Sequence, residues 1–270
     1  MVFVTGFGQM CNNILQFGHV YAWGRENGVQ VIGMRFCYKY RFFRICSLRG
    51  YNLFTYLFAK YGHKLKLIPK INFDEEAVLN PSNMEALHHS EFIVLDGWSF
   101  RDYEAFLRKR EEIKDLFSFK KAIVKKVEAA LPALPTGTLR LGVHIRRADY
   151  INWQGGRYFF SDEDYISVIQ SFISNIPVKH IQILLVTNDP SLNPAAYRKA
   201  LGEEVYLMRG NPAEDLYTLS TSQYLIGPPS TFSLMAAFYN DAPLYWIFDK
   251  SKEVTVDDFR HFDYLFRHII

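Results

Sequence analysis

Along the second half of the chain two hydrophobic periods alternate. Short apolar runs at Leu139 to Arg146, Ile181 to Thr187, Val205 to Met208, Tyr224 to Ile226 and Leu244 to Phe248 predict buried strands. Between them, apolar residues at helical spacing predict helices over Asp162 to Ser174, Ala195 to Leu201, Ala213 to Thr221 and Thr231 to Tyr239. Strands that alternate with helices make a parallel sheet covered on both faces. The tail from Val254 to Ile270 predicts a last helix rich in Phe and His.

The first half is less regular. Val2 to Thr5 predicts a strand, Gly6-Phe7-Gly8 a turn, and Asn12 to Asn27 a helix carried by Ile14, Leu15, Phe17, Tyr21 and Ala22. Val29 to Met34 and Phe92 to Leu95 predict further strands, with helices over Leu53 to Tyr61, Asp102 to Leu107 and Lys120 to Ala130. Leu131-Pro132-Ala133-Leu134-Pro135-Thr136-Gly137 stops the last of these, since prolines and a glycine cannot continue it. A chain of 270 residues has room for two domains, and this linker divides it into 1–135 and 136–270.

The run from Leu139 ends abruptly in His144, Arg146, Arg147 and Asp149. Ligands of open α/β sheets bind at the carboxyl ends of strands, so these side chains belong at the mouth of a crevice. Two adjacent arginines there point to an anion, because each guanidinium offers a planar fork of donors to phosphate oxygens. If the strand runs on through both, alternation lets only one face the ligand; if the chain turns, both do. An ion pair with Asp149 is the plainer alternative. Two other strand ends carry polar clusters, Thr187-Asn188-Asp189 and Ser230-Thr231-Phe232-Ser233. A carboxylate can accept from the N–H edge of a base, and hydroxyls at a helix start suit phosphate. Taken singly, Asn188-Asp189-Pro190 reads as a turn and Ser230 as a helix cap. Asn12, at the start of its helix, reads equally as an anion contact or a cap.

Composition narrows the classes. At 49% hydrophobic, 22% charged and 16% aromatic residues the chain has ample core, which excludes disorder. A net charge of +3 is too small for a nucleic-acid face, so any anion site is local. Cys11, Cys37 and Cys46 have no metal-like spacing and fit a reducing compartment. The start of the chain lacks the pattern of a signal peptide, and no apolar run reaches the length of a membrane span, which predicts a soluble cytoplasmic protein. The basic and aromatic stretch Arg35 to Arg49 leaves open peripheral contact with the inner face of a membrane, a sugar polymer, or a half-buried amphipathic segment. Asp162-Glu163-Asp164 has the spacing of a metal-binding pair. Ser161 with Asp164 reads better as a capping arrangement, so no metal is expected. Signatures of hydride transfer, P-loop hydrolysis and α/β-hydrolase chemistry are missing.

His144-Ile145-Arg146-Arg147-Ala148-Asp149-Tyr150 resembles the His-x-Arg-Arg-x-Asp motif of fucosyltransferases, above all the α-1,2-fucosyltransferases of glycosyltransferase family 11. Asn12-Asn13-Ile14-Leu15-Gln16 is similar to that family's opening Gly-Asn-Gln segment, with Cys11 in place of its glycine, and Asp96-Gly97-Trp98-Ser99-Phe100 to its Gly-Tyr-x-Gln-Ser segment. Val186-Thr187-Asn188-Asp189 resembles its Ser-Asp-Asp, Glu214-Asp215-Leu216-Tyr217 its Asp-Leu helix, and Ser230-Thr231-Phe232-Ser233 its Ser-Thr-Phe-Ser. Leu234-Met235 stand where the family has Trp-Trp.

The resemblance implies an α/β fold of GT-B type, with two Rossmann-like domains facing a cleft. It implies an inverting, metal-independent transfer of L-fucose from GDP-β-L-fucose to a hydroxyl, O2 of galactose in an oligosaccharide or lipid-linked glycan. Arg146 and Arg147 would hold the diphosphate, Asp189 the guanine, and Ser230, Thr231 and Ser233 the phosphates, with Phe232 beside the base. His144 and Asp149 would line the donor pocket and are candidate bases, and Asn12 would lie near the reacting sugar. Alanine at either arginine is then expected to abolish turnover and spare the fold. The rival readings are transfer from another nucleotide sugar and an inactive glycan-binding protein of the same fold.

Overall fold

Strands joined by helices pair in parallel throughout, and they form two separate sheets. The computed structural model describes residues 1–74 and 81–269. Packing divides the chain into two units, Met1–Lys120 and Lys121–Ile270.

The first unit runs β1 (Val2–Val4), α1 (Met10–Glu26), β2 (Val31–Gly33), α2 (Met34–Tyr38), α3 (Leu53–Lys64), β3 (Lys70–Asn72), α4 (Pro81–His89), β4 (Ile93–Asp96), α5 (Tyr103–Arg108) and α6 (Arg110–Leu116). Its sheet has the order β2-β1-β4-β3. Helix α1 is buried on nearly all sides, as its apolar residues at every helical angle require. It starts at Met10 with Gln9 as cap residue, so Asn12 lies within the first turn and not at the cap position. The glycine turn before it is folded back by Asn13, whose Nδ2 donates to the Phe7 carbonyl at 2.9 Å and the Gln9 carbonyl at 2.6 Å. Gly6, at φ 83°, must be glycine: a Cβ there would lie 1.9 Å from Asn13 Oδ1.

The second unit runs α7 (Lys121–Ala130), β5 (Thr138–Ile145), α8 (Asp162–Asn175), β6 (His180–Thr187), α9 (Pro194–Leu201), β7 (Glu204–Met208), α10 (Pro212–Ser220), β8 (Tyr224–Gly227), α11 (Thr231–Asn240), β9 (Leu244–Trp246) and α12 (Phe262–Leu265). Its sheet has the order β7-β6-β5-β8-β9, with β5 at the centre and paired to β6 from Thr138–His180 to Ile145–Thr187. Leu141, Val143 and Ile145 point into a core with Tyr165, Ile169 and Phe172.

The units divide ahead of the proline-rich linker because α7 packs on α10, where Lys126 Nζ lies 2.8 Å from both carboxylate oxygens of Glu214. The linker itself is stitched to the sheet. Arg140, inside β5, donates to Gln182 Oε1 at 2.9 Å and to the Pro132 carbonyl at 2.8 Å, and Gln182 Nε2 donates to the Ala133 carbonyl at 2.9 Å.

The expected terminal helix is broken instead into a 3-10 turn at Val256–Asp258, α12, and a second 3-10 turn at Phe266–His268. Two of its aromatics find separate sites: Phe259 packs on Phe172 at 4.9 Å and Phe262 on Phe238 at 4.8 Å. An antiparallel bridge from Arg260 to Leu244 closes the β9 edge. Ile270 lies outside the described residues. The three cysteines are free and buried, and among the described residues no helix is long and apolar enough to cross a membrane.

Candidate functional site

Strand order fixes where a site can form in the second unit. From β5 the chain steps outward through β6 to β7, then crosses back to β8 and β9 on the other side. Connections leaving β5 and β8 therefore diverge, and a crevice opens between their carboxyl ends. Gly227 ends β8 against β5: a Cβ there would sit 3.1 Å from His144 Cβ and 3.2 Å from the His144 carbonyl. Pro228 and Pro229 then lead to Ser230, whose Oγ caps α11 by accepting from the Phe232 N–H at 3.1 Å. The open N–H end of α11 thus faces this edge of the sheet.

The two arginines part company here. Arg146 Nη1 donates to Ser230 Oγ at 3.1 Å, and its Nε donates to Asp149 Oδ1 at 3.0 Å, with Nη2 on the other Asp149 oxygen. Its guanidinium lies over the Tyr150 ring at 4.5 Å, and the Tyr150 hydroxyl donates to the Pro229 carbonyl at 2.5 Å. Arg147 turns away. Its Nη2 donates to Asp162 Oδ1 at 2.5 Å, its Nη1 to Asp189 Oδ2 at 3.2 Å and its Nε to the Phe160 carbonyl at 2.9 Å, and its side chain is only 12% exposed. All three nitrogens of that fork are engaged by the protein itself, as are the three of Arg146 by Asp149 and Ser230; Arg147 differs in being more enclosed and in bridging two carboxylates.

His144 is buried with no partner on Nδ1 among the described residues, and its ring lies 4.9 Å from Phe232. Burial and the neighbouring Arg146 push its pKa down to about 3, so the imidazole is neutral at physiological pH. Asp149 is held below the usual carboxylate range by its bonds from Arg146. Asp189 Oδ1 accepts from Ser191 N–H at 2.9 Å and Ser191 Oγ at 2.6 Å while Oδ2 serves Arg147, so both oxygens are occupied. Thr231 is buried at the first turn of α11 beside Ser230. Ser233 is buried deeper: its Oγ donates to the Ser230 carbonyl at 3.1 Å and accepts from Trp246 Nε1 at 3.2 Å. It builds the helix start and does not face outward.

Thus His144, Arg146, Asp149, Ser230, Thr231 and Phe232 come together at one edge, whereas Arg147 and Asp189 form an ion pair beside them. Asn12 belongs to the first unit, on the first turn of α1. Two of the three acidic residues at 162–164 have protein partners. Ser161 and Asp164 form a complete capping box, and Asp162 takes Arg147 and the Tyr197 hydroxyl, the latter at 2.8 Å.

Three contributors lie in stretches the sequence marks but have no role assigned from it. Tyr150 supports Arg146 from below. Asn188 braces the turn after β5, its Oδ1 accepting from the Arg147 N–H at 2.9 Å and its Nδ2 donating to Asp149 at 3.3 Å. Asp215, on the first turn of α10 at the same sheet edge, has its pKa pushed up to about 7 by burial. Only the likeness of Glu214-Asp215-Leu216 to a family segment signals it.

No protein-family model matches the chain, and no curated protein matches it in sequence. Its structure is similar to a point mutant of Arabidopsis thaliana FUT1 in complex with GDP, at 12% identity and TM-score 0.62, covering 96% of this chain and 73% of that one. It is also similar to NodZ alpha-1,6-fucosyltransferase co-crystallized with GDP, at 15% identity and TM-score 0.56 over 91% and 94% of the two chains. POFUT1 in complex with GDP-fucose aligns at 13% identity and TM-score 0.53, over 94% of this chain and 96% of its own. At such identities the likeness speaks for architecture, and the architecture is α/β of GT-B type with two Rossmann-like units, the fold of these fucosyltransferases.

Proposed function

We propose that the chain is an inverting, metal-independent glycosyltransferase of the α-1,2 type, moving L-fucose from GDP-β-L-fucose to O2 of galactose in an oligosaccharide or a lipid-linked glycan. One observation carries the reading: the Arg146 fork and the open end of α11 converge on the crevice between β5 and β8, joined through Ser230. A guanidinium and a helix N-terminus side by side form a cradle for a diphosphate. GDP and GDP-fucose in the structurally similar proteins support that donor.

In fucosyl transfer the bond from the sugar to the β-phosphate breaks, positive charge grows on the ring and negative charge on the departing diphosphate. Arg146 meets charge that is greater in the transition state than in the bound donor, which is the condition for raising the rate. As a fixed cation it does what a divalent ion would otherwise do. A general base works best with a pKa near the operating pH. His144, at about 3, and Asp149, held low by Arg146, are both weak bases, so leaving-group stabilisation carries most of the acceleration.

Titrating the protein with GDP, UDP and CMP, each with and without excess chelator, tests this directly. The expected result is GDP-selective binding that the chelator leaves unchanged, followed by turnover of GDP-fucose with galactosides. Uridine selectivity or a metal requirement overturns the donor assignment, and no nucleotide binding at all points to a glycan-binding protein without activity.

A further inference from the structure

Helix α3 packs with its large apolar side chains outward. Ala59 is its buried residue, and Gly62 sits so close that a Cβ would meet Ile68 Cδ1 at 2.5 Å. Ala59 and Gly62 thus face the unit, and the inner side of Phe58 rests against Phe3 and Phe92, ring centres 6.0 and 5.3 Å away. Leu53, Phe54, Phe58 and Tyr61 are 55%, 85%, 50% and 49% exposed, and the turn that follows adds Leu65 and Leu67 at 66% and 77%. A surface helix normally turns such a stripe toward the core. Scattered exposed apolar residues need no explanation, but a continuous patch over two turns marks a contact surface.

The patch is also cationic. Lys60, Lys64 and Lys66 interleave with it, and Lys60 Nζ rests 5.4 Å from the Tyr56 ring. Between Glu26 and Asp74 the chain has nine lysines and arginines and no acidic residue, although its net charge is only +3. A cavity of about 640 Å³ beside the helix shares Phe54 and Phe58 and has Arg49 in its lining. The neighbouring stretch Arg35 to Arg49 is less available: Phe36, Tyr40 and Phe43 are core residues, Arg41 binds the Cys37 and Tyr51 carbonyls, and Arg44 pairs with Asp115. We infer that α3 docks this protein on an anionic phospholipid surface, with Leu53, Phe54 and Tyr61 in the acyl boundary and Lys60, Lys64 and Lys66 among the headgroup phosphates. A second copy fits poorly, because a symmetric contact through α3 would bring like charges together. The inference is independent of the transferase reading.

Sedimentation with vesicles tests it on the intact chain. The protein is expected to sediment with vesicles of equal parts phosphatidylcholine and phosphatidylglycerol, much less with phosphatidylcholine alone, and to be released by high salt. Phe54→Ser with Tyr61→Ser should weaken binding at least about tenfold. Lys60→Gln with Lys64→Gln should weaken it about fivefold per lysine. Melting curves show whether each variant is folded; if the aromatic pair lowers the melting temperature, the lysine pair, fully at the surface, decides. Failure of the parent to bind the anionic vesicles, or equal binding by parent and lysine variant, overturns the inference. So does a dimer of the parent that Phe54→Ser dissolves, which assigns the patch to a second copy.

Discussion

Arg146 and Arg147 follow directly on the end of β5, and their side chains take different partners. Arg146 meets Ser230 at the crevice; Arg147 meets Asp162 and Asp189 beneath a nearly closed surface. The two substitutions are therefore expected to differ in their effect on the fold. Arg146→Ala should lower GDP affinity by roughly a hundredfold and leave the melting temperature unchanged, and Arg146→Lys should not restore it, since an ammonium lacks the fork. Arg147→Ala should instead destabilise the protein by about 3 kcal/mol in denaturant unfolding, because two carboxylates lose their shared partner. A variant at Arg147 that unfolds like the parent would refute this division of labour. Asp215 gives a pH signature. Its folded pKa of about 7 lies above its unfolded value, so the folded state holds the extra proton. That contribution to stability is whole below the unfolded pKa and is lost as pH rises toward the folded one. Asp215→Asn should thus raise the melting temperature at pH values above about 7 and leave it little changed under acid conditions. His144 runs the other way: its folded pKa of about 3 lies below the unfolded value, so stability falls as pH drops through that window.

Among the elements, those whose burial follows one rule were legible and those held by backbone pairing or by distant partners were not. The buried strands β5, β6 and β8 fall within a residue or so of their apolar runs, since a strand covered on both faces must be apolar throughout. The capping box at Ser161 and Asp164 was equally plain, being a local bond between residues three apart in the chain. By contrast β3, Lys70–Asn72, is an edge strand of three residues, too short for a period to be read, which exists through its backbone pairing with β4. The site divides in the same way. The meeting of Arg146 and Ser230 at one sheet edge follows from strand ends visible in the sequence, but the sharing of Asp189 and Asp162 by Arg147 depends on residues far apart in the chain. Arg140 shows how such a partner works: a charged residue inside a buried strand is tolerated because it binds Gln182 and the Pro132 carbonyl. Arg140→Ala leaves both without their donor and should cost about 2 kcal/mol, measured by denaturant unfolding. A loss well below 1 kcal/mol, about the worth of one ordinary hydrogen bond, would mean that the linker is not held by this residue.

For the molecule as a whole, the place where the chain divides decides what each half needs to stand alone. Composition marked the prolines of 131–137 as the natural break, since they end a helix and begin a strand. The packing argues for Lys120–Lys121, because α7 lies on α10 and supplies Lys126 to Glu214, a carboxylate with only 7% of its side chain exposed. Cutting after the prolines strips α7 from α10, exposes Val127's partners to water, and leaves Glu214 without its cation. It also removes the Pro132 and Ala133 carbonyls that Arg140 and Gln182 bind. A fragment of residues 121–270 should therefore unfold in one cooperative transition, whereas 136–270 should be less stable by several kcal/mol, the sum of an uncovered apolar face and an unpaired buried charge. Calorimetry on the two fragments compares them directly. Equal melting temperatures would show that α7 belongs energetically to the first unit and that the prolines do mark the boundary. A clear difference would assign α7 to the second unit and make the α7–α10 contact part of what keeps Asp215 and the first turn of α10 in place.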